Sequence, residues 1–569
     1  MLLLSLSGVN YCAHRFRLCQ QSDASYHLFD STAQKEHDLK LRTSHSYPSR
    51  RSAILADNMV VTSQPLAAQA GLSMLAKGGN AVDAAIATAI ALTVVEPTGN
   101  GVGSDAFAIL WDGKELHGLN ASGRSPKDWS PERFAGLDEM PMHGWESVTI
   151  PGAVSAWVSI SERFGKLPFE ALFEPAVSYA QNGFIVSPKI AQLWALGLGI
   201  LSEQPGFADH FAPNGQAPQA GERFFNPSLA QSLRQIAETR GKAFYEGALA
   251  QAIVASSKAH GGAMTLDDLA AHRPDWCGTI SKGFDNVTLH EIPPNGQGIA
   301  ALMALGILSH TDIREKDADD PLAIHLQIEA MKLALWDTED YVADVDHMAA
   351  VTADDLLNDD YLAARAKLID PKKAQDFGVG APKNGGTVYL TAADASGMMV
   401  SFIQSNYAGF GSGVVVPGTG IHMQNRGFGF SLDPNSPNYV GPNKRPFQTI
   451  IPGFLMGPDK PLMSFGVMGG PMQAQGHLQM VLRTQLWGQE VQMAVDAPRW
   501  RITEGLGVAC ETTLSKLICD ALTAMGHDLS FEEPDAAFGF GGAQLIHRLP
   551  DGGYAGGSDP RKDGMAVGY

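Results

Sequence analysis

The chain has 569 residues, 44% of them hydrophobic and 18% charged, and carries a formal charge of −19. That balance belongs to a globular protein with room for several domains, and its acidity, without basic runs interleaved with aromatics, argues against a nucleic-acid partner. Five widely spaced cysteines without a CxxC pair, and histidines without HExxH-type spacing, argue against a disulfide framework, a metal site or any metal cofactor.

Residues 1–48 are polar, rich in His, Ser and Lys, and without sustained periodicity, which predicts a disordered tail. The apolar stretch 1–9 has no basic n-region and makes a poor secretory signal, so a cytoplasmic location is expected. A short strand is predicted at 59–63 and a helix at 65–77, with Pro65 in its first turn and Gly78-Gly79 as its stop. Asn80 is a plausible N-cap for the run 81–95. That run is the longest apolar stretch, yet it is shorter than a membrane span and carries Asp83, so it reads as a buried core helix and no membrane partner is expected.

Gly99-Asn-Gly-Val-Gly103 follows a helix and Pro97 instead of a strand, so it reads as a tight turn and not as a dinucleotide loop. A hairpin is predicted at 106–111 and 116–120, followed by the loop 121–126. From Gly152 to about 368 the pattern is mainly helical, with helices at 153–164, 168–182, 230–239, 248–259, 266–271 and 321–341. The Asp/Lys-rich stretch 354–383 looks exposed and mobile. After Thr387 the character changes to strands and turns: a hairpin at 387–393 and 398–405, strands near Val414, Ile421, 450–456 and 462–467, a helix at 472–487, another at 491–496, and late strands at 507–509, 543–547 and 554–556. Helices first and strands later predict an α+β layered body, with a helix-rich large part at 49–386 and a strand-rich small part at 387–569.

The junction between those parts carries the chemistry. Asn384-Gly385-Gly386 runs straight into the β-branched segment Thr387-Val388-Tyr389, placing Thr387 first in a strand. If the chain is cut between Gly386 and Thr387, that threonine owns both a hydroxyl and a free α-amine, a nucleophile and a general base on one residue. An α-amine titrates near about 8, so a useful fraction is neutral at working pH. Gly386 has no Cβ to block attack on its carbonyl. By itself the segment reads as a plain turn entering a strand.

In the company of other motifs, the chain resembles the γ-glutamyltranspeptidase family, N-terminal-nucleophile hydrolases that cleave themselves into a large and a small subunit. The runs that carry the resemblance are 78–85 (Gly-Gly-Asn-Ala-Val-Asp-Ala-Ala), Glu96-Pro97 with Gly101-Val-Gly103, 150–154, and Gly441-Pro-Asn-Lys-Arg-Pro446. They continue with Met468-Gly469-Gly470, Asp496-Ala-Pro-Arg499 and Gly557-Ser-Asp-Pro-Arg561. The resemblance implies a four-layer αββα sandwich and fragments that stay associated after cleavage, with Thr387 as nucleophile of both self-cleavage and substrate cleavage. It implies an oxyanion hole at Gly469 and Gly470, and at Ser405 a hydroxyl that bonds the nucleophile. A Gly-Gly turn opening a helix suits that role, because it can aim amides and a positive helix end at a developing oxyanion. The substrate is then an amide, glutathione or another γ-glutamyl compound, and the acceptor water or an amine. Homo-oligomer formation is left open.

Departures from the family pattern bear on the substrate. Where the family holds the γ-glutamyl α-carboxylate with an arginine, this chain has Ser122, with Arg124 two residues later. Where the family holds the α-amine with an acid, the run Gln424-Asn425-Arg426-Gly427-Phe428-Gly429 offers Gly429, and a Ser-Ser pair is replaced by Gln448-Thr449. A lost charge-assisted bond is worth about 1.5–3 kcal/mol, roughly tenfold to a hundredfold in affinity. Arg124 and Arg426 are candidate anion clamps, with ordinary surface arginines as the plain alternative, and a missing lid near Tyr439 suggests an open cleft. Two readings follow: a γ-glutamyl hydrolase or transferase, and an amidohydrolase for an anionic, non-glutamyl amide such as an oxamate-like compound or a dicarboxylic monoamide. A third, of another class, is an unprocessed, non-catalytic binding protein.

Overall fold

The computed structural model describes residues 51–348, 351–378, 386–537 and 539–569, so the expected tail at 1–48 and the residues Asn384 and Gly385 lie outside the described residues. The strand Thr387–Ala393 shows how the layers arise. Tyr389 and Ala393 pack with Met59, Phe107, Ile403, Phe454 and Ile546, whereas Val388, Leu390 and Ala392 pack with Val400, Phe402 and the helix Ala81–Val95. This is the period of two of a strand buried on both faces, one against a second sheet and one against helices.

Two seven-stranded antiparallel sheets result. The first runs Met565–Gly568, Met59–Thr62, Thr387–Ala393, Met399–Ser405, Asp105–Trp111, Leu116–Asn120, Asp275–Trp276. The second runs Ile54–Ala56, Tyr554–Ser558, Gly542–Arg548, Pro461–Met468, Gly453–Met456, Val287–Glu291, Ile280–Phe284. Phe465, Val467 and Leu545 of the second sheet turn outward onto the helices Gly298–Leu308, Pro321–Tyr341 and Met472–Val481. The body is thus an αββα sandwich of the α+β class. Each sheet mixes strands from both sides of the Gly386–Thr387 bond. The Thr387 strand itself lies between Met59–Thr62 and Met399–Ser405, so separating the two parts would break both ladders and the core between them.

Local chemistry explains several boundaries. Asn80 accepts from the Asp83 N–H while Asp83 accepts from the Asn80 N–H, a reciprocal cap that starts the buried helix. Among the described residues no helix is long and apolar enough to cross a membrane.

The structure departs from the sequence expectations in several places, among them the helix expected at 472–487, which is α-helical to Val481 and continues as a π-helix over Leu482–Leu486. The mainly helical region holds the hairpin Ile280–Phe284 and Val287–Glu291, which supplies two strands of the second sheet. The stretch expected to be exposed and mobile contains the helix Asp359–Ala366, whose Leu362 and Ala366 are buried against the Gly298–Leu308 layer. The helix expected at 168–182 begins as a 3-10 turn, Phe169–Phe173, and becomes α-helical only from Glu174.

Candidate active site

Strand register brings three polar residues into one row: Thr387 pairs with Ser405, and Ser405 with Asp105. The Thr387 and Ser405 hydroxyls are 3.0 Å apart. Ser405 Oγ donates to the Gly386 carbonyl oxygen at 2.8 Å and accepts from the Tyr407 N–H at 2.8 Å and from Arg426 Nη2 at 3.2 Å. Either hydroxyl can donate in the Thr387–Ser405 contact; while the Ser405 proton lies on Gly386 O, it is Thr387 that donates. The arrangement therefore couples removal of the Thr387 proton to polarisation of the carbonyl before it. Tyr407 has φ of 80°, a conformation costly for a residue with a Cβ, and it is this turn that points its N–H at Ser405.

Glycines make the close approaches that the site needs. A Cβ on Gly386 would stand 2.5 Å from the Ala408 carbonyl carbon, so a side chain before Thr387 has no space. Gly469 has φ of 120° and Gly470 φ of 59°, and their carbonyls accept from the Met472 and Gln473 N–H groups of the helix that follows. Gln297 Nε2 ties the Gly470 carbonyl (2.9 Å) to that of Thr449 (2.6 Å), holding the turn in place. No acceptor among the described residues takes the Gly469 or Gly470 N–H. Thr387 and Gly469 line one cleft, about 30 Å³ in volume, together with Glu96, Lys189, Lys562 and part of the segment 534–541. Gly386, still joined to Thr387, and Pro534, Ala536 and Ala537 flank this cleft.

Arg426 is fully buried beside this row. Its Nη1 donates to Thr449 Oγ1 at 2.9 Å, its guanidinium carbon lies 4.6 Å from the Tyr407 ring centre, and its Nε has no acceptor among the described residues. Burial pulls its pKa down to about 10, against the attraction of Asp105. Asp105, also fully buried, accepts from the Gly123 and Gly152 N–H groups, each at 3.2 Å, and from Gln448 Nε2 at 2.8 Å. Burial pushes its carboxyl up to about 7, opposed chiefly by the nearby Arg426.

The other residues singled out from sequence fall in distinct places. Ser122 Oγ accepts from Asn295 Nδ2 and Gln448 Nε2, both at 3.2 Å, so it belongs to the Asp105 network. Asn425 holds the Ala408 N–H at 3.1 Å and donates to the Met142 carbonyl at 2.9 Å, fixing the loop after Tyr407. Arg124 does not join this group: it pairs with Asp344 at 2.8 Å and lines a separate cavity of about 340 Å³ with Arg445 and Asp275. Gly429 sits where a Cβ would meet the Phe447 carbonyl oxygen at 2.6 Å. Asp105, Tyr407 and Asn295 escaped the sequence reading. Only Asp105 left a signal there, as an acid standing directly before an apolar strand.

Two other clusters have ligand-type side chains. His325, Glu329 and His527 are buried together, yet their donors are engaged. His325 Nε2 bonds the Asp370 carbonyl and its Nδ1 bonds His527 Nε2, each at 2.8 Å, while Glu329 holds Lys332 at 2.9 Å. In the second cluster, Asp112 caps its own turn through the Lys114 and Glu115 N–H groups and contacts His117 at 3.0 Å.

Two sheets between helical layers, with a threonine opening a central strand opposite a Gly-Gly turn, define the N-terminal-nucleophile hydrolase fold. Residues 67–569 match the model of the γ-glutamyltranspeptidase family, and the chain belongs to that family. It is 36% identical to the glutathione hydrolase-like YwrD proenzyme of Bacillus subtilis (strain 168), over 91% of this chain and 99% of that protein. It is 35% identical to the oxamate amidohydrolase proenzyme of Klebsiella pneumoniae, with the same coverage of each. Among solved structures, the cephalosporin acylase from Bacillus halodurans superposes with a TM-score of 0.87 at 47% identity, covering 93% of this chain and 99% of that one. These similarities support an amide hydrolase or acylase of the family.

Proposed function

We propose that the chain matures by breaking its own Gly386–Thr387 bond and then hydrolyses amides of small anionic acyl groups that lack an α-amine. In the first step Thr387 Oγ1 attacks the Gly386 carbonyl carbon and Ser405 Oγ takes up the hydroxyl proton as its own moves to Gly386 O; when the C–N bond breaks, that proton passes to the departing Thr387 nitrogen, which leaves as an amine, and an ester remains. Water hydrolyses that ester, giving a Gly386 carboxylate and a Thr387 with a free amine. In the second reaction this amine accepts the Oγ1 proton, Oγ1 attacks the substrate carbonyl, and the oxyanion is received by the Gly469 N–H. The departing amine takes a proton, and water, or a second amine in transfer, releases the acyl group.

The observation that carries the substrate reading is the missing acid. A carboxylate side chain at Gly429 would collide with the Phe447 carbonyl, the cleft beside Thr387 is lined by Lys189 and Lys562, and the buried guanidinium of Arg426 adds positive charge behind Ser405 without reaching the cleft. An α-ammonium group gains nothing there, whereas an anion does. The relative named an oxamate amidohydrolase and the solved structure named a cephalosporin acylase support the same direction. The relative named glutathione hydrolase-like keeps the γ-glutamyl reading in the test.

The test is an intact-mass measurement followed by matched hydrolysis kinetics on glutaryl, succinyl, oxamoyl and γ-glutamyl anilides. Two fragments meeting at Gly386 and Thr387 are expected, with higher kcat/KM on an anilide without an α-amine. A chain that stays whole, or a tenfold preference for the γ-glutamyl compound, a gap of about 1.4 kcal/mol, would refute the proposal.

A further inference from the structure

We propose that Lys562 recognises the acyl carboxylate, setting the preference of the Thr387 cleft for short dicarboxylic monoamides. This rests on the reading just given, that Thr387 cleaves anionic amides. Lys562 lines the same cleft as Thr387 and Gly469. Two other cations line this cleft, Arg561 and Lys189, and two were singled out from sequence, Arg124 and Arg426; each is committed elsewhere. Arg561 is held by Glu511 at 2.6 Å and Asp559 at 3.0 Å. Lys189 bonds Gln192 Oε1 at 3.0 Å and the Asp535 carbonyl, with the Asp535 carboxylate at 3.6 Å. Arg124 is paired with Asp344 outside the cleft, and Arg426 is sealed behind Ser405 and Thr449.

Lys562 differs from them. Among the described residues its ammonium makes no hydrogen bond or close ion pair, although its backbone N–H is anchored to the Asp559 carbonyl at 3.3 Å. Its stem lies across Gly542, where a Cβ would meet Lys562 Cγ at 2.6 Å, so the glycine leaves room for that path. The acid facing it is Glu96, which accepts from Ser63 Oγ at 2.5 Å and whose buried carboxyl is pushed up to about 7. Glu96 is therefore able to take a proton when an anion enters, which removes the repulsion a fixed carboxylate would exert. An ammonium on a flexible stem suits the carboxylate at the end of a short acyl chain.

The experiment compares wild type, Lys562→Met, Lys562→Arg and Lys562→Glu on succinyl anilide and on its neutral isostere, butyryl anilide. For Lys562→Met, kcat/KM on the succinyl compound is expected to fall about tenfold to a hundredfold, mostly through KM, as for the loss of one charge-assisted hydrogen bond. The butyryl rate should stay within about threefold, Lys562→Arg should keep most of the preference, and Lys562→Glu should favour the cationic 4-aminobutyryl anilide. An equal loss on both acyl groups, or an unchanged succinyl preference in Lys562→Met, overturns the assignment. Fragment masses and butyryl hydrolysis are read on every variant. Wild type that neither cuts itself nor hydrolyses any anilide defeats the underlying reading, whereas a mature, active Lys562→Met with intact selectivity defeats only the role of Lys562.

Discussion

Ser405→Ala is the most searching single change at this site, because one oxygen serves four partners. Its removal takes the donor from the Gly386 carbonyl, the acceptor from the Thr387 hydroxyl, and the oxygen to which the Tyr407 N–H and Arg426 Nη2 donate. Loss of one donor to a developing oxyanion typically lowers a rate by about 10²–10³. Water can enter the space left by the hydroxyl, so the expected slowing of self-cleavage is near the lower end, about a hundredfold. Loss of a hydrogen bond from the charged Arg426 guanidinium costs about 1.5–3 kcal/mol, so the unfolding midpoint should drop while the fold survives. The assay is a time course of precursor and fragments by intact mass after purification, with Ser405→Thr as the variant that keeps the hydroxyl. Maturation of Ser405→Ala within threefold of wild type would refute the proposed coupling of Ser405 to the Gly386 carbonyl.

Thr387→Ala should remain a single chain with an unfolding midpoint near that of wild type, and the appearance of a new N-terminus at position 387 in that variant would show that another group does the cutting. Gly469→Val should keep the fold but lower kcat by about 10²–10³, since φ of 120° disfavours any side chain and the amide must turn away; near-normal kcat would misplace the oxyanion site. Gly429→Asp should destabilise the protein by about 1–3 kcal/mol in urea unfolding without creating γ-glutamyl preference, because its Cβ meets the Phe447 carbonyl at 2.6 Å. The Asp105 carboxyl is raised from an ordinary carboxylate value to about 7 in the folded state, so the folded protein binds the proton more tightly than the unfolded chain. Stability from this group is present at low pH and is lost as pH rises toward 7. Asp105→Asn should flatten the fall in urea midpoint between pH 5 and pH 8, and an unchanged slope would count against the buried carboxyl.

The chemistry of the site was legible where it is written in consecutive residues. Gly386-Thr387 and Gly469-Gly470 became readable through the runs around them, since glycine pairs also serve as plain turns and helix stops, as at Gly78-Gly79. The hairpin 387–405 was legible too, since both of its strands are buried and the turn between them holds Asp394 and Gly397. What stayed hidden depends on register between distant segments. Asp105 and Ser405 meet only because their strands pair antiparallel, and Gln448 reaches Asp105 from a loop far along the chain. The second sheet's hairpin at Ile280–Phe284 was missed for a different reason: Lys282 and Gly283 weaken its alternation, and its strand character comes from pairing with Val287–Glu291 and, through it, Gly453–Met456.

The same register bears on how one residue could serve two reactions. All seven residues of the Thr387 strand lie beyond the bond to be broken; they pair with Ser405 through Met399 on one side, and the last four pair with Thr62 through Met59 on the other. Cutting before Thr387 removes none of those pairings, so Oγ1 keeps its position relative to Ser405 while its α-nitrogen changes from an amide into an amine. Ser405 then loses Gly386 O as acceptor and has its proton free for Thr387 Oγ1, in a pocket where Arg426 and the Tyr407 N–H still donate to it. A hydroxyl that accepts two donors is a better donor itself. Its proton can therefore stabilise the threonine oxygen as that oxygen gains charge on deacylation, when the acyl ester breaks. The geometry that favours the first cut is in this way carried over, without rearrangement of the sheet, to the turnover that follows.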